Sequence, residues 1–384
     1  MNQDKKIGLV EAKNSVNNDL DGIVAGTTNI CRLCADSGHL SFRGYSVADL
    51  VSQGSFEETA HLLLYKKLPN ASELNQFIQR LCSARHLPVQ VRQIIERLPI
   101  EAHPMDVLRT AVSAMGCIEP ELDDDEALRI GERLIASIPA IVAYWYHFHH
   151  MHRRVDTFSE ESKNARYFLS LLQEQSPSPH HAMLIDRVLT LYSEHEFNAS
   201  TFAARIAAAT KSDIYASVVS AISTLSGSLH GGANEAAMSV IEQFDSPEQV
   251  EERMSLYIED DGSVPGFGHN IYRHGDPRIH YIKKHIDAAA INESSRRLLS
   301  IAQAIEMYMR ERHQVYANLD FYAAVAFKVA GVPNTLFTPM FVMSRIAGWT
   351  AHVIEQRELN QKLRPIANYT GPQDTLYVPI AERQ

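Results

Sequence analysis

The chain has 384 residues, of which 45% are hydrophobic, so it can bury a sizeable core and is a folded globular protein of about two domains. Its formal net charge is -10 and its pI is about 6.0. Nucleic acids and anionic membrane surfaces attract broadly basic faces, so we expect neither as the main partner. An anion bound by this chain therefore requires a local cluster of arginines.

The N-terminal residues and the cysteines both bear on the compartment. Residues 1–22 contain no apolar signal core, and acidic residues interrupt any arginine-rich transit pattern, so we expect a cytoplasmic protein. The four cysteines include a single Cys-x-x-Cys pair, Cys31 and Cys34, with no second pair to complete a zinc site. We therefore expect reduced structural thiols, with a metal or redox role as the alternative.

Local patterns predict a helical chain. Only residues 22–47 combine glycines with short β-prone pieces, which is typical of small hairpins. Residues 55–69, SFEETAHLLLYKKLP, have a serine N-cap, acids in the first turn, lysines in the last turn and a final proline. This pattern recurs along the chain and predicts a nearly all-α fold with minor N-terminal β-hairpins.

Residues 134–152 hold an apolar run followed by a histidine cluster. The run, LIASIPAIVAYWY, is too short to span a bilayer and contains a proline, so it predicts a buried helix. The cluster, HFHHMH at 147–152, lacks the His-Glu-x-x-His spacing of a metal site. We interpret it as a polar helix end, with metal binding as the alternative.

One irregular segment interrupts the helices. Residues 266–278, GFGHNIYRHGDPR, contain three glycines, two histidines and an Asp-Pro turn. Glycine lets the backbone approach a ligand closely, and Asp-Pro ends any helix before it. Loops that carry titratable side chains are where binding and catalytic groups concentrate, so we predict half of a site here. An ordinary surface turn is the alternative.

Further titratable residues stand beside glycine, proline or a predicted helix end. Each one alone has a structural explanation, as a satisfied buried histidine or a solvated arginine. The chain contains neither a Gly-x-Ser-x-Gly elbow nor a Gly-Lys-Ser/Thr phosphate loop, which argues against a serine hydrolase or P-loop enzyme. The candidates are His195 in SEHEFNAST, His230 in SGSLHGGANEAA, His269 and Arg278 in the 266–278 segment, Asp320 in YANLDFYAA, Arg345 in SRIAGWTAH and Arg364 in KLRPIANYTGP.

These motifs, in this order, resemble those of the citrate synthase family over most of the chain. The segments EHEFNAST and RPIANYTGPQDTLYVPIAERQ are most similar to those of bacterial 2-methylcitrate synthases. The resemblance implies an acyltransferase that condenses propionyl-CoA with oxaloacetate and water to give 2-methylcitrate and CoA, and that also accepts acetyl-CoA. A citrate synthase using acetyl-CoA is the alternative, and a non-catalytic helical scaffold of the same fold is a further one.

The resemblance also implies roles for individual residues. Asp320 is the expected base, His230 stabilises the enolate oxygen, and His269 polarises the ketone of oxaloacetate. His230 precedes a predicted helix, whose positive end keeps the imidazole neutral. The carboxylates of oxaloacetate are matched by planar guanidinium groups and one imidazole, which are those of Arg278, Arg345, Arg364 and His195.

CoA is expected to lie against Gly266, Phe267 and Gly268, with Arg273 near a phosphate. The CoA thioester is a substrate, so neither a cofactor nor a metal is expected. The resemblance implies a two-domain architecture, with a large helical domain over 1–224, a small domain over 225–331 that closes on it, and a return to the large domain with a C-terminal arm over 332–384. In the family, the arginine that matches Arg364 comes from the neighbouring subunit, which implies a homodimer with shared active sites.

Overall fold

The computed structural model separates the chain into two units. One unit contains residues 28–362, and the other contains the described residues 23–27 and 363–383. The expected domain boundaries at 225 and 331 stay a prediction, because they lie inside the larger unit. The structure describes residues 23–34, 38–261, 263–269, 271–272 and 275–383.

A small antiparallel sheet opens the larger unit. Its strands are β1 (Cys31–Cys34), β2 (His39–Phe42) and β3 (Tyr45–Ser46), in the order β1-β2-β3. Cys31 pairs with Phe42 in the register, and Phe42 pairs with Tyr45 across a two-residue turn. Arg43 and Gly44 in that turn both have positive φ, which matches the twist of a tight hairpin. The predicted N-terminal hairpins are confirmed.

Helices form nearly all of the remaining secondary structure in the described chain, which confirms the predicted all-α fold. Shorter helical turns cover Asp124–Glu126, Pro247–Gln249, Met309–His313, Asn334–Leu336 and Ile380–Glu382. The α-helices are α1 (Val47–Gln53), α2 (Phe56–Tyr65), α3 (Ala71–Ser83), α4 (Val89–Arg97), α5 (Pro104–Ile118), α6 (Ala127–His150), α7 (Asn164–Gln173), α8 (Pro179–Tyr192), α9 (Ala199–Ala208), α10 (Ile214–Leu225), α11 (Ala233–Ile241), α12 (Val250–Asp261), α13 (Arg278–Ala289), α14 (Glu293–Tyr308), α15 (Leu319–Val329) and α16 (Phe337–Leu359).

Helix α2 begins as its sequence predicts but ends earlier. The side chain of Ser55 accepts a hydrogen bond from the backbone N–H of Glu58, which satisfies one of the donors left open at a helix start. The helix ends at Tyr65, and its C-cap Lys66 has a left-handed backbone with φ of 65°. The two lysines expected in the last turn and the expected proline stop therefore lie beyond the helix, whereas the serine cap accounts for its start.

Helices α6 and α16 contact each other along the centre of the core. The predicted apolar run lies in α6, where residues 134–145 are all buried and Pro139 stands inside the helix. Helix α16 also packs against α8, α9 and α10, so its side chains reach several connections between helices. None of the helices that the structure describes has the length and apolarity to cross a membrane.

The histidine cluster at the end of α6 bonds to backbone carbonyls. His147 Nε2 lies 2.9 Å from the carbonyl oxygen of Leu171, and His149 Nε2 lies 3.0 Å from that of Ile95. These contacts support a polar helix end, because the fold uses Nε2 of both rings. All four cysteines lie in the described part of the chain, and none of them forms a disulfide there.

Candidate active site

The glycine-rich loop is fastened to the start of α15 by backbone hydrogen bonds. The N–H of Asn318 donates to the carbonyl of Gly266 at 2.8 Å, and the N–H of Gly268 donates to the carbonyl of Tyr316 at 2.8 Å. Gly266 has φ of +82°, and a Cβ there would lie 2.8 Å from Cβ of Phe321. Only glycine permits this approach, which brings the 266–269 segment against the helix that carries Asp320.

A buried ion pair fixes the other end of the loop. Nη2 of Arg278 donates to Oδ2 of Asp276 at 2.7 Å, and Nε donates to Oδ1 at 2.9 Å. Oδ2 of Asp276 also accepts the N–H of Leu319 at 3.0 Å, so this carboxylate joins the loop to the first turn of α15. Burial alone would raise the pKa of Asp276. The charge and hydrogen bonds of the Arg278 guanidinium outweigh burial, so the net shift of the pKa is downward.

His195 and His269 face each other in the site, with ring centroids 5.3 Å apart. Nδ1 of His269 accepts the backbone N–H groups of Ile271 at 3.0 Å and Tyr272 at 3.3 Å, so the ring proton lies on Nε2. Burial and the charge of Arg278 lower the pKa of His269 to about 4. Burial also holds the pKa of His195 well below its usual range. Both rings are therefore neutral at pH 7.

His230 lies in the connection between α10 and α11 and is also neutral. The backbone N–H of Ser200 donates to its Nε2 at 3.3 Å, which leaves Nδ1–H as the available donor. Burial and the charge of Arg345 lower the pKa of His230 to about 4. Helix α11 begins only at Ala233, so burial and the nearby arginine account for the neutral ring more directly than the helix end does.

Asp320 stands in the first turn of α15 and accepts a hydrogen bond from Tyr192. The phenol oxygen of Tyr192 lies 2.5 Å from Oδ1 of Asp320. Burial raises the pKa of Asp320, while the Tyr192 hydrogen bond and the charge of Arg278 oppose that rise; the net shift is upward. A carboxyl with a raised pKa is a stronger base once it is ionised, as a group that removes a proton must be.

Arg345 lies buried in α16 at the centre of the site. Its Nε donates to the carbonyl oxygen of Tyr192 at 2.5 Å, and its guanidinium lies 4.7 Å from the ring centroid of Phe341. No carboxylate in the described part of the chain forms an ion pair with it, and burial lowers its pKa to about 10. A buried guanidinium without a carboxylate is suited to an anionic ligand.

The comparisons with known proteins agree with this geometry. The family model described as citrate synthase, C-terminal domain, matches residues 19–366. The chain belongs to the citrate synthase family. The 2-methylcitrate synthase of Shewanella oneidensis is 41% identical over 375 residues, which cover 98% of this chain and 100% of that protein. Citrate synthase 2 of Bacillus subtilis is 36% identical, with 95% of this chain and 98% of that protein covered.

Solved structures of the citrate synthase family share the fold. The structure from Pyrobaculum aerophilum matches with a TM-score of 0.87 at 33% identity and covers 100% of both chains. A ternary complex of the Thermoplasma acidophilum enzyme with carboxymethyl coenzyme A and oxaloacetate matches with a TM-score of 0.90 at 29% identity. It covers 96% of this chain and 99% of that chain. The resemblance to the family is thereby confirmed, and the chain is an acyltransferase-type enzyme that condenses an acyl-CoA with oxaloacetate.

The predicted site residues of this citrate synthase family member fall into three groups. His195, His230, His269, Arg278, Asp320 and Arg345 come together in the larger unit through the contacts described above. Gly266, Phe267 and Gly268 form the loop beside them. Arg364 is exposed and belongs to the other unit, and Arg273 lies outside the described residues.

Sequence reasoning missed three polar partners in the site. Tyr192 is three residues before His195, but its contact with Asp320 spans 128 positions and has no local signal. Tyr272, whose phenol oxygen lies 3.2 Å from Nε2 of His195, is inside the predicted loop. Asp276 is part of the Asp-Pro-Arg motif, and its two-residue spacing from Arg278 could have indicated the ion pair.

Proposed function

We propose that this enzyme condenses propionyl-CoA with oxaloacetate and water to give 2-methylcitrate and CoA, with acetyl-CoA as a poorer substrate. The observation that carries the proposal is the placement of Asp320, with its raised pKa, in one site with two neutral imidazoles and the buried Arg345. The similarity to relatives named 2-methylcitrate synthase supports propionyl-CoA as the preferred substrate in this proposal. Relatives named citrate synthase, at similar identity, keep acetyl-CoA as the alternative.

In this proposal the difficult step is removal of a proton from the carbon next to the thioester carbonyl. Asp320 accepts that proton, and Nδ1–H of His230 donates to the thioester oxygen as negative charge develops on it. A neutral donor suits this role, because His230 stays unprotonated across the neutral pH range. The resulting enolate attacks the ketone of oxaloacetate, and Nε2–H of His269 donates to the ketone oxygen. Water then releases CoA.

The two carboxylates of oxaloacetate require cationic and hydrogen-bonding groups. We assign them to Arg345, Arg278 and His195 in the larger unit, with Arg364 as a fourth group. Two of the five N–H groups of Arg278 donate to Asp276, which fixes the plane in which the other three N–H donors lie. The complex of the Thermoplasma acidophilum enzyme with oxaloacetate supports the same class of ligand. CoA is the leaving group of a substrate, and the proposed steps use no resident cofactor or metal.

We further propose a cytoplasmic homodimer in which Arg364 enters the partner's site. The segment 363–383 supports a contact with another subunit, because its apolar side chains are exposed: Ile366 is 88% exposed, Leu376 87% and Tyr377 82%. The low number of cysteines, four in 384 residues, supports a reducing compartment. The acidic net charge supports the proposal that neither nucleic acid nor an anionic membrane is a partner, and it leaves the anionic substrates to be bound by local arginines.

The test measures release of CoA thiol with oxaloacetate and either propionyl-CoA or acetyl-CoA. We expect release only when both substrates are present, and a higher kcat/KM for propionyl-CoA. One methyl group in an apolar pocket changes selectivity by about 1–3 kcal/mol, so both acyl-CoAs should react. A higher kcat/KM for acetyl-CoA would leave citrate synthase as the function.

Asp320→Asn is the matched control for this test. The substitution keeps the size of the side chain but removes the base, so condensation should fall by about 10²–10⁴-fold. Binding of oxaloacetate, measured by calorimetry, should remain. Near-normal turnover would remove Asp320 from the mechanism, and absence of CoA release from the unaltered enzyme with any short acyl-CoA would favour a scaffold.

A further inference from the structure

A buried chain of polar side chains runs from α16 to the turn that carries His195. Nε2 of His352 lies 3.0 Å from Oε1 of Glu194, and both side chains are fully buried. Nδ1 of His352 lies 2.9 Å from Nη1 of Arg205, which also donates to Oε2 of Glu355 at 2.7 Å. Arginine can only donate, so Nδ1 of His352 accepts and Nε2–H donates to Glu194. The chain of hydrogen bonds therefore has one direction, toward the turn.

Glu194 accepts a hydrogen bond from a strained residue in the turn. Residues 193–198 connect α8 to α9, and Glu196 within them has a positive φ of 57°. Positive φ is uncommon for a residue with a side chain and costs about 1 kcal/mol or more. The backbone N–H of Glu196 donates to Oε1 of Glu194 at 2.6 Å. This hydrogen bond joins the residues on either side of His195, and it therefore constrains the backbone from which the His195 side chain projects.

Helix α16 approaches the turn at a glycine. A Cβ on Gly348 would overlap the carbonyl oxygen of Ser193 and Oε2 of Glu194. Arg345, Gly348, His352 and Glu355 follow the spacing i, i+3, i+7 and i+10, which places them on one face of a helix. The helix that carries Arg345 therefore also packs directly against Glu194.

Stability alone does not account for this arrangement. Oε2 of Glu194 is buried and accepts no hydrogen bond from the residues that the structure describes. A buried carboxylate oxygen without a donor costs free energy, so a fold selected for stability alone would favour an apolar side chain here. Holding Glu194 under the turn instead fixes the position of His195.

We propose that His352 and Gly348 are positioning residues, which act through Glu194 to hold His195 in the orientation that binds oxaloacetate. The inference rests on the proposed function for the role of His195, while the fixing of the turn is independent of any substrate. Helix α16 carries Arg345 and also packs against Glu194 through Gly348. It therefore sets the distance between Arg345 and His195, which bind the same dianion in the proposed function.

The test compares His352→Leu with His352→Gln, and Gly348→Ala with Gly131→Ala. The Gln side chain offers a donor and an acceptor in place of the two ring nitrogens, whereas Leu offers neither. Gly131 of α6 is a matched control, because a Cβ there would press on Thr350 of α16 without touching Ser193 or Glu194. Folding of each variant is checked by circular dichroism and thermal unfolding.

Two measurements are made on each variant. The first is hydrogen exchange of the 193–198 peptide without substrate, and the second is the Kd of oxaloacetate by calorimetry. His352→Leu and Gly348→Ala should speed the exchange and raise the Kd by about tenfold, with KM for the acyl-CoA unchanged. His352→Gln should restore most of the affinity, and Gly131→Ala should leave both quantities as in the unaltered protein.

Unaltered exchange in His352→Leu and Gly348→Ala would overturn the positioning role. Equal effects in Gly131→Ala would also overturn it, because general loosening of α16 would then suffice. If the unaltered protein binds no oxaloacetate, the proposed function fails separately, and the exchange data still decide whether α16 fixes the turn.

Discussion

At the scale of single residues, the contact between Tyr192 and Asp320 governs the strength of the proposed base. Burial favours the protonated acid, and the phenol hydrogen bond favours the carboxylate, so the two effects oppose each other on one side chain. The pKa of Asp320 is raised overall, and the Tyr192 hydrogen bond is the strongest of the interactions that limit this rise. Burial is therefore the main cause of the raised pKa of the base, and a residue that the sequence did not single out moderates it.

Tyr192→Phe should move the acid limb of activity to higher pH. Loss of the hydrogen bond destabilises the carboxylate, so the pKa of Asp320 rises further and a higher pH is needed to ionise the base. The measurement is kcat/KM for the acyl-CoA from pH 5 to 9. Tyr144→Phe is the control, because it removes a similar hydrogen bond from a phenol to a carboxylate, that of Glu96, and neither residue belongs to the candidate site. An acid limb that stays in place would contradict this account.

The neutral histidines should make stability fall as the pH drops. Burial lowers the pKa of His230 from 6.5 to about 4, so between these values the unfolded chain binds a proton that the folded chain does not. The contribution is present above pH 6.5 and is lost as the pH falls toward 4. His230→Gln should therefore lose less stability than the unaltered protein between pH 7 and pH 5, measured by urea unfolding.

His86→Gln is the control for this comparison, because His86 is exposed and lies in the connection between α3 and α4. It should keep the pH dependence of the unaltered protein. The same dependence in His230→Gln would mean that His230 is not the group whose protonation is linked to unfolding.

At the scale of elements, the site is built where helix connections meet the ends of other helices. The loop 263–269 is joined to the start of α15 by three hydrogen bonds, two of them between backbone groups and one from the Asn318 side chain to Gly268 at 2.9 Å. The turn at 193–198 is held by α16. Helices thus supply rigid walls, and the irregular segments supply the chemistry.

Gly266→Ala should separate the loop from α15. The substitution adds a side chain at φ of +82° and 2.8 Å from Cβ of Phe321, so we expect the free energy of unfolding to fall by about 1–3 kcal/mol and condensation to slow. Gly44→Ala is matched, because Gly44 has φ of +88° but a Cβ there would meet nothing within 4 Å. Gly44→Ala should lose only the part of the free energy of unfolding that comes from placing a side chain at positive φ, and it should keep its activity.

Both variants are compared by denaturant unfolding and by CoA release. Equal losses of stability and activity in the two variants would show that the close approach to Phe321 has no role beyond the backbone conformation.

At the scale of the whole molecule, the smaller unit carries exposed apolar side chains within 363–383 and an exposed Arg364. Arg364→Ala and Asp320→Asn should each be inactive alone. If Arg364 serves the partner's site, random mixing of these subunits gives one intact site in each heterodimer, and roughly a quarter of full activity should return.

Mixing Arg345→Ala with Asp320→Asn is the control, because both residues belong to the same site of the same subunit. That mixture should regain no activity. Failure of the first mixture to recover, after subunit exchange has been demonstrated with labelled protein, would assign Arg364 to its own chain.

The sequence by itself determined what depends on neighbours along the chain. The cap of α2 at Ser55 formed as predicted, and the small hairpins expected within 22–47 formed with a turn at Arg43 and Gly44; both features follow from local backbone chemistry. The ordered motifs also identified the family and named six side chains that meet in one site. These features are local or ordered along the chain, so they can be read without knowing how the helices pack.

Only the tertiary structure decided the electrostatics of that site. The contact of Tyr192 with Asp320 joins residues 128 positions apart, and that of His352 with Glu194 joins residues 158 positions apart. The neutral state of His230 follows from burial and from Arg345, which α16 brings to it. A pKa depends on burial and on charges within a few ångströms, and the packing of helices distant in the chain sets both.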